Sequence, residues 1–522
     1  MIELDGASLT LEQLLAIADR GEVVRIASPA RERVQAARAI VERRARGDEP
    51  AYGINTGFGS FAEVKIAPDA LDALQLNLLR SHAAGIGDPL PARTVRATMA
   101  LRANVLAKGF SGISLATLDA LVALLNAGVH PRVPARGSVG ASGDLAPLAH
   151  LALVLIGEGE VLDDRSSSAG GQGPPGGNVW KAGPGLQGRE ALERAGLRPI
   201  ALGPKEGLAL INGTQPSTAV LALALADADV LVRSADVVAA LSIDALRGSI
   251  HPFESRIHAA RPFAGQLASA ANIEALMRGS GINRSHEHCG KVQDAYSLRC
   301  AAQVHGAVRE ALRFVRETLD VDVNSATDNP MVFIETGDIV SGGNFHGAPI
   351  AIAADLIAAA IVPLATISER RTDRLVDPAL SGLPAFLTRE GGVNSGFMMA
   401  QVTAAAVASE LKSLAHPAGV DTIPTSANRE DHVSMSMTAA LKAERAVSRA
   451  REVVAIELLC AAQAIDLLAP LETSPPLGRV HALVRSHVPM LDGDRSPAPD
   501  IIAIARLIAA RAVETACGIR VK

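Results

Sequence analysis

The stretch Gly137-Ser-Val-Gly-Ala-Ser-Gly-Asp144-Leu-Ala-Pro-Leu-Ala-His150 holds the residues of this chain best suited to chemistry. Within it, Ala141-Ser142-Gly143 sets a dehydratable hydroxyl between two residues too small to hinder a tight turn. Gly143 has no Cβ, so its amide nitrogen can fold back toward the Ala141 carbonyl carbon at little steric cost. Closing that ring and losing water, the Ser142 hydroxyl included, gives a 4-methylidene-imidazol-5-one (MIO), an electrophile made from the main chain itself. An isolated Ala-Ser-Gly is far more often a plain loop ahead of a helix, so the tripeptide takes its meaning from its surroundings. Asp144 is placed to cap the helix that follows, and Pro147 fits that helix's first turn. The positive end of the helix would then face the electrophile and stabilise negative charge arriving there.

Other strings carry polar groups of the right kinds. Tyr52-Gly-Ile-Asn-Thr-Gly-Phe-Gly59 surrounds a tyrosine with three glycines, which predicts a mobile loop and a poor place to store a core aromatic. A phenol accepts a proton as phenolate where nearby positive charge lowers its pKa from about 10. The run Lys205-Glu-Gly-Leu-Ala-Leu-Ile-Asn212 ends on an amide that serves equally as a helix cap or as a donor and acceptor toward a ligand. In Gln293-Asp-Ala-Tyr296-Ser-Leu-Arg299, Tyr296 and Arg299 share one helical face at i,i+3, and arginine is the natural bidentate partner of an α-carboxylate. A packed Tyr and a surface Arg are the plain alternative. His82, Phe345, Met398 and Glu430 stand in further Gly-rich or polar strings, where a structural histidine, a core methionine and an exposed loop glutamate are the simpler readings. His286-Glu-His288-Cys289 looks like a metal cluster, but nothing nearby completes a set of zinc ligands, so no metal is expected.

Taken in this order, the strings resemble the aromatic amino-acid ammonia-lyases, whose prosthetic group is MIO. The resemblance runs over nearly the whole chain and implies a role for each residue. Tyr52 would be the base for the β-proton, Asn212 would hold the substrate carboxylate and MIO in register, Tyr296 would sit beside MIO, and Arg299 would grip the carboxylate. Phe345 corresponds to an active-site wall, and Gln293 joins His82, Phe345 and Met398 as a substrate-binding residue. Ser81-His82, Gln303-Val-His305-Gly306, Met398 and Glu430 resemble the histidine-specific branch, with His82 facing the substrate side chain, Met398 against imidazole, and Glu430 bonding imidazole or the amino group. Two departures stand out: Arg429 replaces a commoner Gln, and Ala408-Ser-Glu-Leu411-Lys replaces a commoner Glu-Asn-Lys. Arg429 would either pair with Glu430 or redirect it.

The implied activity is non-oxidative deamination of L-histidine to trans-urocanate and ammonia, with MIO and no metal or external cofactor. Tyrosine or phenylalanine ammonia-lyase and 2,3-aminomutase are the nearer alternatives, and a non-catalytic helical scaffold the distant one. The implied fold is mostly α, a single module over 1–522. A smaller MIO-bearing lobe spans about 1–200, and a long-helix bundle core about 201–522. The resemblance also implies a homotetramer whose active sites combine residues from several chains.

The rest of the sequence supplies elements able to position such a site. Of 522 residues, 48% are hydrophobic and only 2% aromatic, so the core must be filled by small aliphatics at helical spacing. A net charge of −5 with interspersed signs leaves no basic footprint for nucleic acid. Four cysteines without a C-x-x-C fit a reduced, cytoplasmic protein, and Met1-Ile-Glu-Leu-Asp5 shows no signal-peptide pattern. Thr10-Leu-Glu-Gln13 reads as a capping box opening a helix that stops at Gly21, and Ser28-Pro29 opens a second that stops at Gly47. Gly347 to Ile367 carries one charge, Asp355, over a span of transmembrane length; its prolines and alanines favour a buried bundle helix over a membrane segment. The Gly/Pro/Ser-rich stretch 163–188 reads as a flexible insertion.

Overall fold

Four long helices, Gln215–Ala245, Ala301–Asp322, Ala348–Val376 and Ser436–Leu467, make the centre of the computed structural model, which describes residues 1–162, 185–290 and 292–522. Alanine dominates their contacts: Ala239, Ala240, Ala354, Ala358, Ala450 and Ala461 are all fully or almost fully buried. Small side chains at the seams let helix axes approach closely, and so a core with few aromatics still packs tightly.

The bundle encloses a fully buried arginine–carboxylate pair. Arg371 and Glu457 are both completely buried and meet in a fork, Nε to Oε1 at 2.5 Å and Nη2 to Oε2 at 2.9 Å. Ser242 donates a third hydrogen bond to Glu457 Oε1 at 2.6 Å, which ties the helix Gln215–Ala245 to both.

Ahead of the bundle, Ile2–Leu4 pairs in parallel with Val24–Ile26, flanking the helix Leu11–Arg20. That helix opens with the reciprocal capping box of Thr10 and Gln13 and closes on Gly21 at φ +70°. The next, Ser28–Arg46, buries Ala30, Val34, Ala37, Val41 and Ala45 along one stripe. Because the helix Ala92–Ala107 packs on both Leu11–Arg20 and Gln215–Ala245, the apolar core runs without a break from Leu4 to Cys517.

Two segments differ from, or sharpen, the sequence expectation. The stretch expected as an insertion over 163–188 lies outside the described residues as far as 184. Its end is not loop, since Leu186–Gln187 pairs antiparallel with Glu160–Val161 and Gly188 begins the helix Gly188–Arg194. The apolar helix Ala348–Val376 is long enough to cross a membrane, yet it packs on the other three bundle helices. Its Asp355 accepts from the amides of Ala418 and Gly419 at 2.8 and 2.7 Å, which anchors the loop that leads to Glu430.

Removing one partner of the buried fork strands the other charge. Glu457→Ala should therefore cost about 3–5 kcal/mol, read as a shift in the denaturant midpoint. Arg371→Met combined with Glu457→Leu should recover most of that loss.

Candidate active site

Ala141-Ser142-Gly143 forms a turn pinned from both sides. Gly143 has φ +68° and lies alongside Gly213 as a parallel bridge, and the next amide, Asp144 N–H, donates to Gly213 O at 2.8 Å. A Cβ on Gly143 would stand 2.2 Å from that carbonyl oxygen, so both conformation and space require glycine here. On the other side the Ser434 hydroxyl donates to Gly140 O at 2.8 Å, and Ala141 packs on Val433 and Met435. The Ser142 hydroxyl emerges from this clamp and donates to Glu430 Oε1 at 2.7 Å.

Asp144 departs from its expected role. It occupies the position before the helix Leu145–Leu155, but its carboxylate makes no capping bond there. Instead Oδ2 accepts from Ser217 N–H at 2.9 Å, in the first turn of the long helix Gln215–Ala245, and Oδ1 accepts from Ser138 Oγ at 2.5 Å. The side chain thus caps a neighbouring helix and ties the turn to the bundle. Complete burial pushes its pKa up to about 6 despite these hydrogen bonds.

The turn lines a cavity of about 310 Å³ that also takes in Tyr52, His82, Asn212, Phe345 and Glu430. The Tyr52 loop is folded on buried Ile54 and Asn55, whose side chain accepts from Ala51 N–H at 2.7 Å and donates to Glu49 O at 3.0 Å. This leaves Tyr52 half-buried, with its ring against the edge of Phe58 and its phenol oxygen accepting from Gly59 N–H at 3.3 Å. His82 belongs to the last turn of the helix Leu71–His82. Its Nδ1 lies 2.9 Å from the Leu78 carbonyl, which can only accept, so Nε2 is the ring's acceptor when neutral. Burial holds the His82 pKa below its ordinary value, opposed by that carbonyl and by the charge of Glu430.

Asn212 ends the short helix Glu206–Ile211 and is nearly inaccessible, with Nδ2 donating to Asn329 O at 2.9 Å. Its Oδ1 is buried with no hydrogen-bond partner, an orphan acceptor at the cavity wall. Buried arginine Arg102 fixes the main chain behind it, donating to Asn212 O at 2.8 Å. Positive φ at Gly143, a Ser142 side chain directed into the cavity, and an unsatisfied amide beside them are what a backbone-derived MIO requires of its surroundings.

Sequence reading missed the groups that hold Glu430. Its Oε2 accepts from the hydroxyls of Thr425 and Ser426 at 2.6 and 2.9 Å. With Ser142 on Oε1, three hydroxyls hold the carboxylate, and among the described residues Arg429 does not pair with it. His346 and His432 also line the cavity, their rings stacked 5.8 Å apart at 8°. Their only sequence signal was adjacency to Phe345 and Glu430.

Gln293, Tyr296, Arg299 and Met398 are not brought to this cavity. Gln293 and Arg299 line a second one, of about 800 Å³, together with Arg247, Ser249 and Gln303. There the Arg299 guanidinium lies 4.7 Å over the Tyr296 ring, Tyr296 is 71% exposed, and Arg299 Nε and Gln303 Oε1 are buried without partners. The reason is geometric. Asn212 and Gly213 immediately precede the 31-residue helix Gln215–Ala245, while Arg247 and Ser249 immediately follow it. At 1.5 Å per residue the two cavities lie roughly 45 Å apart at opposite ends of one rod. Met398 opens the helix Met398–Leu414, whose Gln401 reaches Glu369 toward the C-terminal end of Ala348–Val376, far from the Phe345 end.

A continuous helical bundle carrying a glycine-clamped Ala-Ser-Gly turn beside tyrosine, histidine, amide and carboxylate defines a class of protein. The profile of the aromatic amino acid lyase family matches residues 9–486, and the chain belongs to that family. It is 55% identical over 513 residues to a histidine ammonia-lyase of Anaeromyxobacter dehalogenans (strain 2CP-C), covering 98% of this chain and 99% of that protein. The crystal structure of histidine ammonia-lyase from Trypanosoma cruzi superposes with a TM-score of 0.88 at 43% identity, covering 99% of this chain and 95% of that one. Tyrosine aminomutase from Streptomyces globisporus superposes with a TM-score of 0.92 at 36% identity over the whole of both chains.

Gly143→Ala should lower the midpoint of thermal denaturation while leaving helical content intact, since strain and clash are confined to the turn. The lowered His82 pKa means that its contribution to stability is present above the ordinary value of 6.5 and is lost as pH falls through the lowered value. Denaturation followed between about pH 7 and pH 5 should show a smaller acid-side loss in His82→Asn than in the unaltered protein.

Proposed function

We propose that this chain is a histidine ammonia-lyase that converts L-histidine to trans-urocanate and ammonia, using an MIO formed from Ala141-Ser142-Gly143. The observation that carries this reading is the meeting, in one cavity, of the Ser142 turn with Tyr52, His82, Asn212 and Glu430. An MIO supplies an electrophile that takes up the substrate's amino group and makes it a better leaving group.

The protein's own residues do the rest. The orphan Oδ1 of Asn212, with Arg299, orients the α-amino acid so that its β-hydrogen points at Tyr52. Tyr52, its phenol oxygen held by the Gly59 amide, removes that proton as ammonia leaves, and an α,β-unsaturated acid remains. His82, Met398, Phe345 and Gln293 enclose the side chain. Glu430, freed of its bond to Ser142 when that hydroxyl is eliminated, faces the imidazole or the amino group.

A catalytic centre using both Tyr52 and Arg299 needs more than one copy of the chain, because their cavities lie at opposite ends of one helix. We assign the active form to a homotetramer with shared sites. Exposed apolar side chains on the bundle helices, Phe314, Val321 and Ile352 among them, support association. The four cysteines, all free, fit a cytoplasmic setting.

The likeness to a tyrosine aminomutase gives a second outcome a footing, return of ammonia to the β-carbon. Incubating purified protein with L-histidine, L-tyrosine and L-phenylalanine decides between them. Urocanate and free ammonia from histidine are expected, and a β-amino acid would overturn the lyase reading. Ser142→Ala should lose activity, the near-ultraviolet absorbance and the water loss in intact mass, with the fold retained. Tyr52→Phe should keep the spectral signature but lose turnover by about a hundredfold or more. Co-expressing Tyr52→Phe with Arg299→Ala should restore partial activity that neither variant has alone.

A further inference from the structure

Arg429 is the only arginine or lysine lining the Tyr52–Ser142 cavity among the described residues. It stands exposed at the rim, whereas Asn212 is buried in the wall. Its guanidinium makes no hydrogen bond or ion pair among those residues. The adjacent Glu430 forms no ion pair with it: its carboxylate is turned to the hydroxyls of Ser142, Thr425 and Ser426, and the last two stay on Oε2 when the Ser142 hydroxyl is lost. Asp431 lines the same cavity and forms no ion pair with it either. The rim therefore carries two acidic side chains and one uncommitted cation.

An amino acid and the unsaturated acid derived from it share one anionic group, the carboxylate. Entering a cavity bordered by Glu430 and Asp431, that group meets repulsion from two sides, and Arg429 is the cation this chain sets at the mouth, ahead of the Arg299 that another copy would contribute. A guanidinium presents a planar fork that matches a carboxylate in two parallel hydrogen bonds, and it is weakly hydrated enough to engage at an exposed rim. We infer that Arg429 is the carboxylate anchor of the cavity mouth, holding the carboxylate of the incoming amino acid and of the departing unsaturated acid. It acts on capture and release and is distinct from the deeper orienting groups. The assignment rests on the ammonia-lyase reading and adds a binding residue to that site.

The test uses the purified, MIO-bearing enzyme as wild type, Arg429→Gln and Arg429→Lys. At low ionic strength Arg429→Gln should raise KM for L-histidine and the inhibition constant of urocanate together by about three- to tenfold, a charge effect screened as salt is added. The loss falls on KM more than on kcat. Arg429→Lys should recover most of it. L-histidinol, which has the imidazole and amine but no carboxylate, should inhibit wild type and Arg429→Gln alike. Unchanged KM and urocanate inhibition in Arg429→Gln would overturn the assignment, as would an equal loss of histidinol binding or an effect indifferent to salt. If wild type makes no urocanate from histidine, the histidine reading fails. Arg429 is then judged with whichever of L-tyrosine or L-phenylalanine the enzyme deaminates and with the matching unsaturated acid, since the carboxylate is common to all.

Discussion

Everything at the candidate site depends on two stretches of main chain lying against each other without side chains between them. Gly143 and Gly213 meet backbone to backbone, and the Asp144 amide closes the contact on the Gly213 carbonyl. From that seam, one direction of the chain runs through Asp144 into the helix Leu145–Leu155. The other runs through Gln215 into the longest span of the bundle's first helix. A side chain at Gly143 would push the turn away from Gly213 and the amide of Asn212, and one at Gly213 would collide with Gln215, Arg102 and the Thr327 carbonyl, so the seam sets the register of the cavity wall.

Asp144 reinforces the seam electrostatically. Its carboxylate reaches past its own helix to the first turn of Gln215–Ala245, where free amide donors concentrate partial positive charge. A buried acid is costly, and its raised pKa records that cost. The return is a turn locked to the rigid bundle instead of to a surface loop.

Much of this was legible in the sequence, and the reasons are local. Glycines in Gly-Ala-Ser-Gly announce a turn; Thr10 with Gln13 and Gly21 announce a helix's two ends; alanine-rich periodicity announces a bundle. The hydroxyls of Thr425 and Ser426 were invisible, because the turn that aims them at Glu430 depends on positive φ at Ser426, Ala427 and Asn428, which Asn tolerates but Ser and Ala do not signal. The capping partner of Asp144 was misjudged for a related reason: a helix start next in sequence is readable, whereas one next in space, 73 residues away, is not. Tyr296 and Arg299 show the opposite limit. Their i,i+3 relation held, with the guanidinium over the ring, but nothing in a linear string tells on which end of a long helix a motif comes to rest.

That helix has a consequence of its own. Gln215–Ala245 acts as a spacer bar between the two cavities, and its rigidity fixes how far apart they are held. Each residue added to an α-helix advances its far end by 1.5 Å and turns it by about 100°. A single insertion or deletion within the bar would thus both shift and rotate the walls of one cavity relative to those of the other. Length here is under tighter constraint than composition, and drift in this lineage should be free to exchange its aliphatic side chains while never altering their number.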